Sequence, residues 1–158
     1  MDISTEFQML GKIIIAAFLG GMVGLEREFA ERPAGLRTHM LVGGTSAFFV
    51  MLANILLATF EQRDLVNTDP IRAIEAIIVG ISFLGAGTIL KYRQEGERVV
   101  EGLTTSASIL SVAAIGIAVA LNAYVLAVGA AILNLFINRG LLSLVNRARS
   151  RAREQADT

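Results

Sequence analysis

The chain has 158 residues, no cysteine and a formal net charge of zero, and 54% of its residues are hydrophobic. Its mean hydropathy of +0.61 is that of a small polytopic membrane protein rather than of an ordinary globular domain. The lack of cysteine excludes disulfides and thiolate metal sites, and the balanced charge gives no argument for a nucleic-acid partner. Outside the apolar runs only short loops and tails remain, so we expect no aqueous catalytic domain.

Five apolar segments predict an all-α membrane domain of five transmembrane helices, covering residues 1–145 and followed by a basic cytoplasmic tail at 146–158. The segments are Phe7–Leu25, Met40–Phe60, Ala73–Leu90, Leu103–Leu121 and Ala123–Leu142. From Leu103 to Ile137 no charged residue occurs, and as a single helix this stretch would measure about 52 Å, well beyond the bilayer thickness. It must therefore turn back. We predict the turn at Asn122, beside Tyr124, with a bend nearer Gly116 as the alternative.

The basic residues predict the orientation of these helices. Five spans place the loops 26–37 and 91–102 and the segment after 139 on one side, together with eleven of the fourteen Lys and Arg residues. Basic loops stay in the cytoplasm, so the N-terminus is expected outside and the C-terminus inside, whereas four spans would put the basic tail opposite the basic loops. The tail is expected to meet anionic lipids rather than nucleic acid.

Small residues and a charged block mark the end of the first span. Ala16, Gly20 and Gly24 recur every four residues and predict a close helix contact, with the neighbour in the same chain or in another copy. Residues 24–39 then carry six charged side chains between two apolar runs, which predicts a polar hinge. Pro33 and Gly35 should bend it.

The hinge charges have two interpretations. A bend would bring Glu26 and Arg37 to similar depths at adjacent helix ends, which predicts an ion pair between them. Alternatively, the hinge charges all lie in headgroup water and only set the topology. His39, at the start of the second span, is interpreted as interfacial, with proton sensing as the alternative.

Polar and small residues also occur in the later spans. The glycines Gly80, Gly85 and Gly87 predict tight packing, with a broken helix that exposes carbonyls to an ion as the alternative. The hydroxyls of Thr104, Thr105, Ser106 and Ser108 would cap the fourth helix, or would hold an anion together with the hinge arginines. Further along, Asn134 and Asn138 are expected to link helices by hydrogen bonds, as is Asn54.

Three motifs coincide in order and spacing. They are Gly24-Leu-Glu-Arg-Glu with Arg32-Pro-Ala-Gly-Leu-Arg-Thr38, Gly80-Ile-Ser-Phe-Leu-Gly-Ala-Gly87, and Glu101-Gly-Leu-Thr-Thr-Ser-Ala107. Together they resemble the MgtC/SapB family of bacterial inner-membrane proteins. The resemblance implies a multi-pass protein of the cytoplasmic membrane linked to growth at low magnesium and, in pathogens, to survival inside macrophages. It leaves two activities open: a transporter of Mg²⁺ or another small ion, or a non-transporting regulator that binds another membrane complex such as the ATP synthase.

The resemblance also supplies site candidates. The polar candidates are Glu26, Arg27, Arg32, Arg37, Thr38, Thr104 and Thr105, and the packing candidates are Gly20, Gly24, Gly35, Gly85, Gly87 and Gly102. Several relatives have Asn where this chain has Thr104. Membrane lipids, a second copy bound through a small-residue face and another membrane protein are the expected partners. Neither a catalytic constellation nor a tight carboxylate cluster is visible, so we expect no enzymatic activity and no cofactor, and a metal site stays open with Mg²⁺ as a candidate ligand or substrate.

Overall fold

The structure, a computed structural model, describes residues 2–61, 70–94 and 97–140. In this part of the chain, five α-helices are joined by a short hairpin and followed by one π-helical turn. The helices are α1 (Ile3–Phe29), α2 (Leu36–Glu61), α3 (Pro70–Gly87), α4 (Leu103–Ala120) and α5 (Tyr124–Leu135); the strands are β1 (Leu90–Gln94) and β2 (Glu97–Glu101), and the π-helical turn is Phe136–Gly140.

The five helices fall on the five predicted apolar segments, in the same order. Within the described residues, three stretches are long and apolar enough to cross a membrane, namely Ile3–Phe29, Leu36–Thr59 and Leu103–Ala120. The last helix is shorter, because α5 passes into the π-helical turn after Leu135. The predicted tail at 146–158 and the end of the fifth predicted segment lie outside the described residues.

The predicted bend between the first two helices is confirmed. Helix α1 ends at Phe29 and α2 begins at Leu36, and between them Glu31 adopts a positive φ of 53°. The free amide of Leu36 at the start of α2 donates a hydrogen bond to the Glu28 carboxylate over 2.9 Å. The Glu28 carboxylate thus caps the N-terminus of α2, although Glu28 lies eight residues before Leu36.

The predicted turn at Asn122 is also confirmed. Helix α4 runs without a break through Gly116, so the alternative bend there is not adopted. Asn122 has a φ of 62°, a left-handed conformation that Asn tolerates better than most residues.

The hairpin differs from the sequence prediction, which gives a loop over residues 91–102 and a third span that extends to Leu90. Strands β1 and β2 pair antiparallel, with Leu90 opposite Glu101. The chain leaves β2 at Gly102, whose φ of 89° lies in the left-handed region. A Cβ at this position would meet the carbonyl oxygen of Thr88, so glycine is needed both for the backbone angle and for the space.

The core lies where α1, α2 and α4 meet, and there the helix backbones touch. A Cβ added to Gly43 of α2 would lie 2.7 Å from the carbonyl oxygen of Ala16 in α1. One added to Gly116 of α4 would meet the carbonyl oxygen of Gly43, and one added to Gly20 of α1 would meet that of His39. Small residues therefore bring three helices as close as their backbones allow. Fully buried aliphatic side chains, Val23, Ile109, Val112, Ile115 and Val119 among them, fill the space around these contacts.

Candidate functional site

A chain of buried and half-buried polar side chains enters the helix bundle at the hinge. Arg27, in the last turn of α1, has a side chain only 6% exposed. Its Nη2 donates a hydrogen bond to Oδ1 of Asn138, and Nδ2 of Asn138 donates to Oδ1 of Asn134 over 3.1 Å. Nδ2 of Asn134 in turn donates to Oγ of Ser111 in α4. We call these four residues the polar chain.

The polar chain depends on the local structure after α5. Asn134 and Asn138 are four residues apart, so they lie on one helix face, one turn apart. Asn138 belongs to the π-helical turn Phe136–Gly140, a wider turn of the kind found often at functional sites. Ser111 lies eight residues after the start of α4, about 12 Å along the helix axis. The polar chain thus links α1, α4 and the helical segment after α5 by hydrogen bonds, and it runs from the hinge into the bundle.

Glu26 supplies the nearest negative charge to Arg27. The Glu26 Oε2 and Arg27 Nε atoms are 3.5 Å apart, and the Glu26 side chain is 15% exposed. The predicted ion pair between Glu26 and Arg37 is wrong: Arg37 is exposed, and among the side chains that the structure describes Glu26 pairs with Arg27. A buried guanidinium needs a counter-charge more than an exposed one does. This explains why Glu26 forms its ion pair with buried Arg27 rather than with exposed Arg37.

His39 is fully buried, so its interpretation as an interfacial residue is wrong. Its Nδ1 lies 2.9 Å from the carbonyl oxygen of Gly35, and its Nε2 lies 2.9 Å from Oγ of Ser108 in α4. Because a carbonyl only accepts, Nδ1 carries the proton, and in the neutral ring Nε2 accepts from the Ser108 hydroxyl. Gly24 of α1 makes room for the ring, since a Cβ there would lie 2.7 Å from the Cβ of His39.

The predicted hinge candidates separate into two groups. Glu26 and Arg27 face inward, whereas Arg32, Arg37 and Thr38 are exposed. Gly35 is partly buried, and a Cβ there would collide with the Glu28 carboxylate. The exposed residues are available for contact with lipid headgroups or another protein, but the structure does not join them to the polar chain.

The start of α4 differs from the prediction that its hydroxyls cap the helix. The N-cap residue is Gly102, which makes no side-chain capping hydrogen bond. Thr104 is exposed and Thr105 is buried. Of the serines predicted with them, Ser108 bonds to His39 instead.

The glycines of α3 do not open the helix, which is continuous from Pro70 to Gly87. Gly85 packs closely on α4, since a Cβ there would lie 2.5 Å from Oγ of Ser106. Gly80 and Gly87 have nothing within 4 Å of an added Cβ. Packing therefore accounts for one glycine of the three, and the other two face open space.

The first-span stripe of Gly20 and Gly24 packs against α2 of the same chain. The predicted homodimer thus cannot use this face, and it stays a prediction. Within the described ranges, no three His, Asp or Glu side chains come close enough together to hold a metal ion. The Glu26 carboxylate is already neutralised by Arg27.

Sequence reasoning found part of this site. The prediction that Asn134 and Asn138 link helices is confirmed by their bonds to Ser111 and Arg27, whereas Asn54 is exposed. Ser111 is not among the predicted residues, and Glu28 is one of the hinge charges but not one of the polar site candidates. Four-residue spacing signals a shared helix face, but it does not tell which neighbouring helix that face meets.

Comparison with known proteins identifies the likeness that the motifs predicted. The sequence model of the MgtC family matches residues 13–147. The chain is 36% identical over 126 residues to the protein named "Putative magnesium transporter YhiD" of Escherichia coli (strain K12), covering 80% of this chain and 57% of that one. It is 34% identical over 116 residues to Protein SapB of Bacillus subtilis (strain 168), covering 73% and 49%.

A third relative carries the family name itself. Protein MgtC of Brucella abortus (strain 2308) is 40% identical over 102 residues, which cover 65% of this chain and 38% of that protein. The chain thus spans little more than half the length of the first of these relatives. No solved structure matches.

Proposed function

This chain belongs to the MgtC family, and we propose that it acts in magnesium homeostasis from the bacterial cytoplasmic membrane. It does so by contacting another membrane protein, and it neither conducts ions nor catalyses a reaction. The magnesium link is supported by relatives named for magnesium transport and as MgtC. The proposal extends to the virulence association that the family resemblance implies in pathogens.

The proposed topology has five spans, with the N-terminus outside and the C-terminus in the cytoplasm. The five helices in the order α1 to α5 support it, as does the distribution of the basic residues. The hinge and the hairpin β1–β2 then lie on the cytoplasmic side. That side carries eleven of the fourteen Lys and Arg residues, as the positive-inside rule requires.

The contact of helix backbones in the core is the observation that carries the non-conducting proposal. Gly20, Gly43 and Gly116 hold α1, α2 and α4 so close that even an added methyl group would collide with a carbonyl oxygen. An ion crossing the membrane needs a path lined by polar groups or water, usually near the midplane. Where α1, α2 and α4 meet, the bundle instead holds backbone contacts and buried aliphatic side chains, beside a few buried polar residues such as His39 and Ser108, and this packing suits a rigid scaffold.

The exposed part of the hinge is the proposed contact surface. Arg32, Arg37 and Thr38 project from the cytoplasmic end while Glu26 and Arg27 stay inside. Arginine is favoured where a protein surface meets carboxylates or phosphates, because its planar guanidinium binds them in bidentate fashion. A partner with an acidic cytoplasmic surface would fit this end of the bundle.

Growth at low magnesium tests the proposal. A strain lacking the protein is complemented with the parent chain, with Arg32→Ala/Arg37→Ala, and with Lys91→Ala as the matched control. Lys91 is exposed on the same proposed side. Its replacement therefore also removes a positive charge that favours the cytoplasmic location of a loop, but it leaves the hinge intact. We expect the double variant to lose growth support at unchanged membrane levels while the control keeps it. Equal growth of all three strains would contradict a working role for the hinge.

Ion transport is the second candidate, and the polar chain favours it. Four hydrogen-bonding side chains lead from Arg27 to Ser111, and buried polar residues in membranes often mark ion or proton routes. This route would pass along α5 rather than through the core. Flux that requires Asn134 and Asn138 would support it.

A further inference from the structure

A groove lies between α2 and α3, toward the end of the bundle opposite the hinge. Its volume is about 600 Å³, and no charged residue lines it. Along α2 it extends from Thr45 to Leu56, and along α3 from Leu84 back to Ala73. At its outer rim, Phe83 and Val79 of α3 are 80% and 70% exposed, so the groove opens onto the surface that faces lipid.

The length and the lining of the groove fit an acyl chain. From Thr45 to Leu56 the helix rises about 16 Å, roughly half the hydrocarbon thickness of about 30 Å. A hydrocarbon tail from one leaflet has this length, and the side chains that line the groove are mostly apolar.

A basic residue, Arg72, lies next to the groove near the start of α3. Arg72 is exposed and is four residues before Ala76, a lining residue, so the two share a face of α3. In the described part of the chain, Arg72 forms no salt bridge, although exposed Glu75 is three residues away. A guanidinium in this position is suited to a phosphate.

A second groove on the other side of α2 provides the contrast. It lies between α1 and α2, has a volume of about 230 Å³, and is lined by Glu6 together with apolar residues such as Ile13 and Ile55. Its volume is less than half that of the α2–α3 groove, and it carries a carboxylate that would repel a phosphate. Of the two grooves, the one between α1 and α2 thus carries a carboxylate in its lining, whereas the one between α2 and α3 carries no charge.

We propose that the α2–α3 groove is a binding site for one phospholipid, with an acyl tail between Ala53 and Gly80 and the headgroup phosphate at Arg72. The lipid completes the packing of α3, whose Gly80 otherwise faces open space. This inference depends only on the membrane location of the helices and is independent of the proposed function.

Native mass spectrometry of the detergent-solubilised full chain tests the site, with dioleoyl phosphatidylglycerol as the probe. The parent protein should retain one lipid per chain. Gly80→Leu fills the groove without a clash, because nothing lies within 4 Å of an added Cβ, and it should reduce retention at least tenfold. Gly129→Leu is the matched control: Gly129 of α5 has equally open surroundings but does not line the groove, so retention should not change.

Arg72→Ala provides a second variant that leaves the helix packing untouched. Near a membrane surface one basic residue contributes about 1 kcal/mol to binding an anionic lipid, so retention should fall about fivefold. Unchanged retention in this variant would overturn the role of Arg72. The tail site itself would be overturned if the parent retained no lipid, if Gly80→Leu and Gly129→Leu behaved alike, or if a lipid-free dimer of the parent became a monomer in Gly80→Leu.

Discussion

The bond between Arg27 and Asn138 should be a principal link between α1 and the end of α5. Replacing Asn138 by Leu removes the amide oxygen that accepts from Arg27 Nη2 and also the amide that donates to Asn134. The Arg27 side chain, 6% exposed, would then keep Glu26 at 3.5 Å as its ion-pair partner. We expect the variant to be folded but clearly less stable.

Two general ranges for the stability contributed by a hydrogen bond bound the expected loss of unfolding free energy. A hydrogen bond to a charged group contributes about 1.5–3 kcal/mol in proteins, whereas neutral polar bonds between membrane helices average only about 0.6 kcal/mol, because the unfolded state in the membrane also finds partners. Arg27 is charged and buried, so the larger range applies. We expect Asn138→Leu to lower the free energy of unfolding by about 2–3 kcal/mol.

A double-mutant cycle isolates the bond. Unfolding is measured in mixed micelles with increasing denaturing detergent for Arg27→Met, Asn138→Leu and the double variant. The double variant should lose less than the sum of the two single variants, with a coupling energy of about 1.5 kcal/mol or more. Asn54→Leu is the control, since Asn54 is an exposed Asn of α2 and its replacement should change stability by less than about 0.5 kcal/mol. Additive single losses would refute the reasoning.

Three further predictions follow from named contacts. His39→Ala should cost about 2–4 kcal/mol of unfolding free energy in the same assay, because it leaves a cavity and an unpaired Ser108 hydroxyl; a loss under 1 kcal/mol would be inconsistent with the buried ring. Gly116→Val should abolish folding, judged by monodisperse elution in detergent, whereas Gly11→Val should elute normally, because only the first meets a backbone carbonyl; equal elution would exclude the close contact. Glu28→Ala should lower stability by about 1 kcal/mol through the lost cap of α2, and an unchanged stability would show that the amide of Leu36 needs no carboxylate.

The helices were predictable from sequence because their determinants are local. Apolar runs of membrane length give α1, α2 and α4, Pro33 and Gly35 mark the bend between α1 and α2, and Asn122 supplies the left-handed turn before α5. The β-hairpin was missed for the opposite reason. Two five-residue strands between spans contain several charged residues, which favour a loop on hydropathy alone, while the sequence Glu95-Gly96 between them is only a weak turn signal.

The candidate site was less predictable because it depends on which helices are neighbours. The predicted pair of Glu26 and Arg37 depends on a bend that brings these two side chains together. In the structure Glu26 instead pairs with buried Arg27, whose charge has to be neutralised. His39 was assigned to the interface from its position at a helix start. The glycines of α1 instead bring that helix end into contact with its neighbour, so the ring is enclosed.

Magnesium flux into proteoliposomes tests the central claim most directly. The parent protein and Asn138→Leu are reconstituted in parallel, and internal Mg²⁺ is followed with an indicator under an imposed gradient. The account predicts that the parent leaks no faster than empty liposomes, while it still supports growth at low magnesium in cells. Flux above the empty-liposome rate that disappears in Asn138→Leu would contradict it and would assign transport to the polar chain.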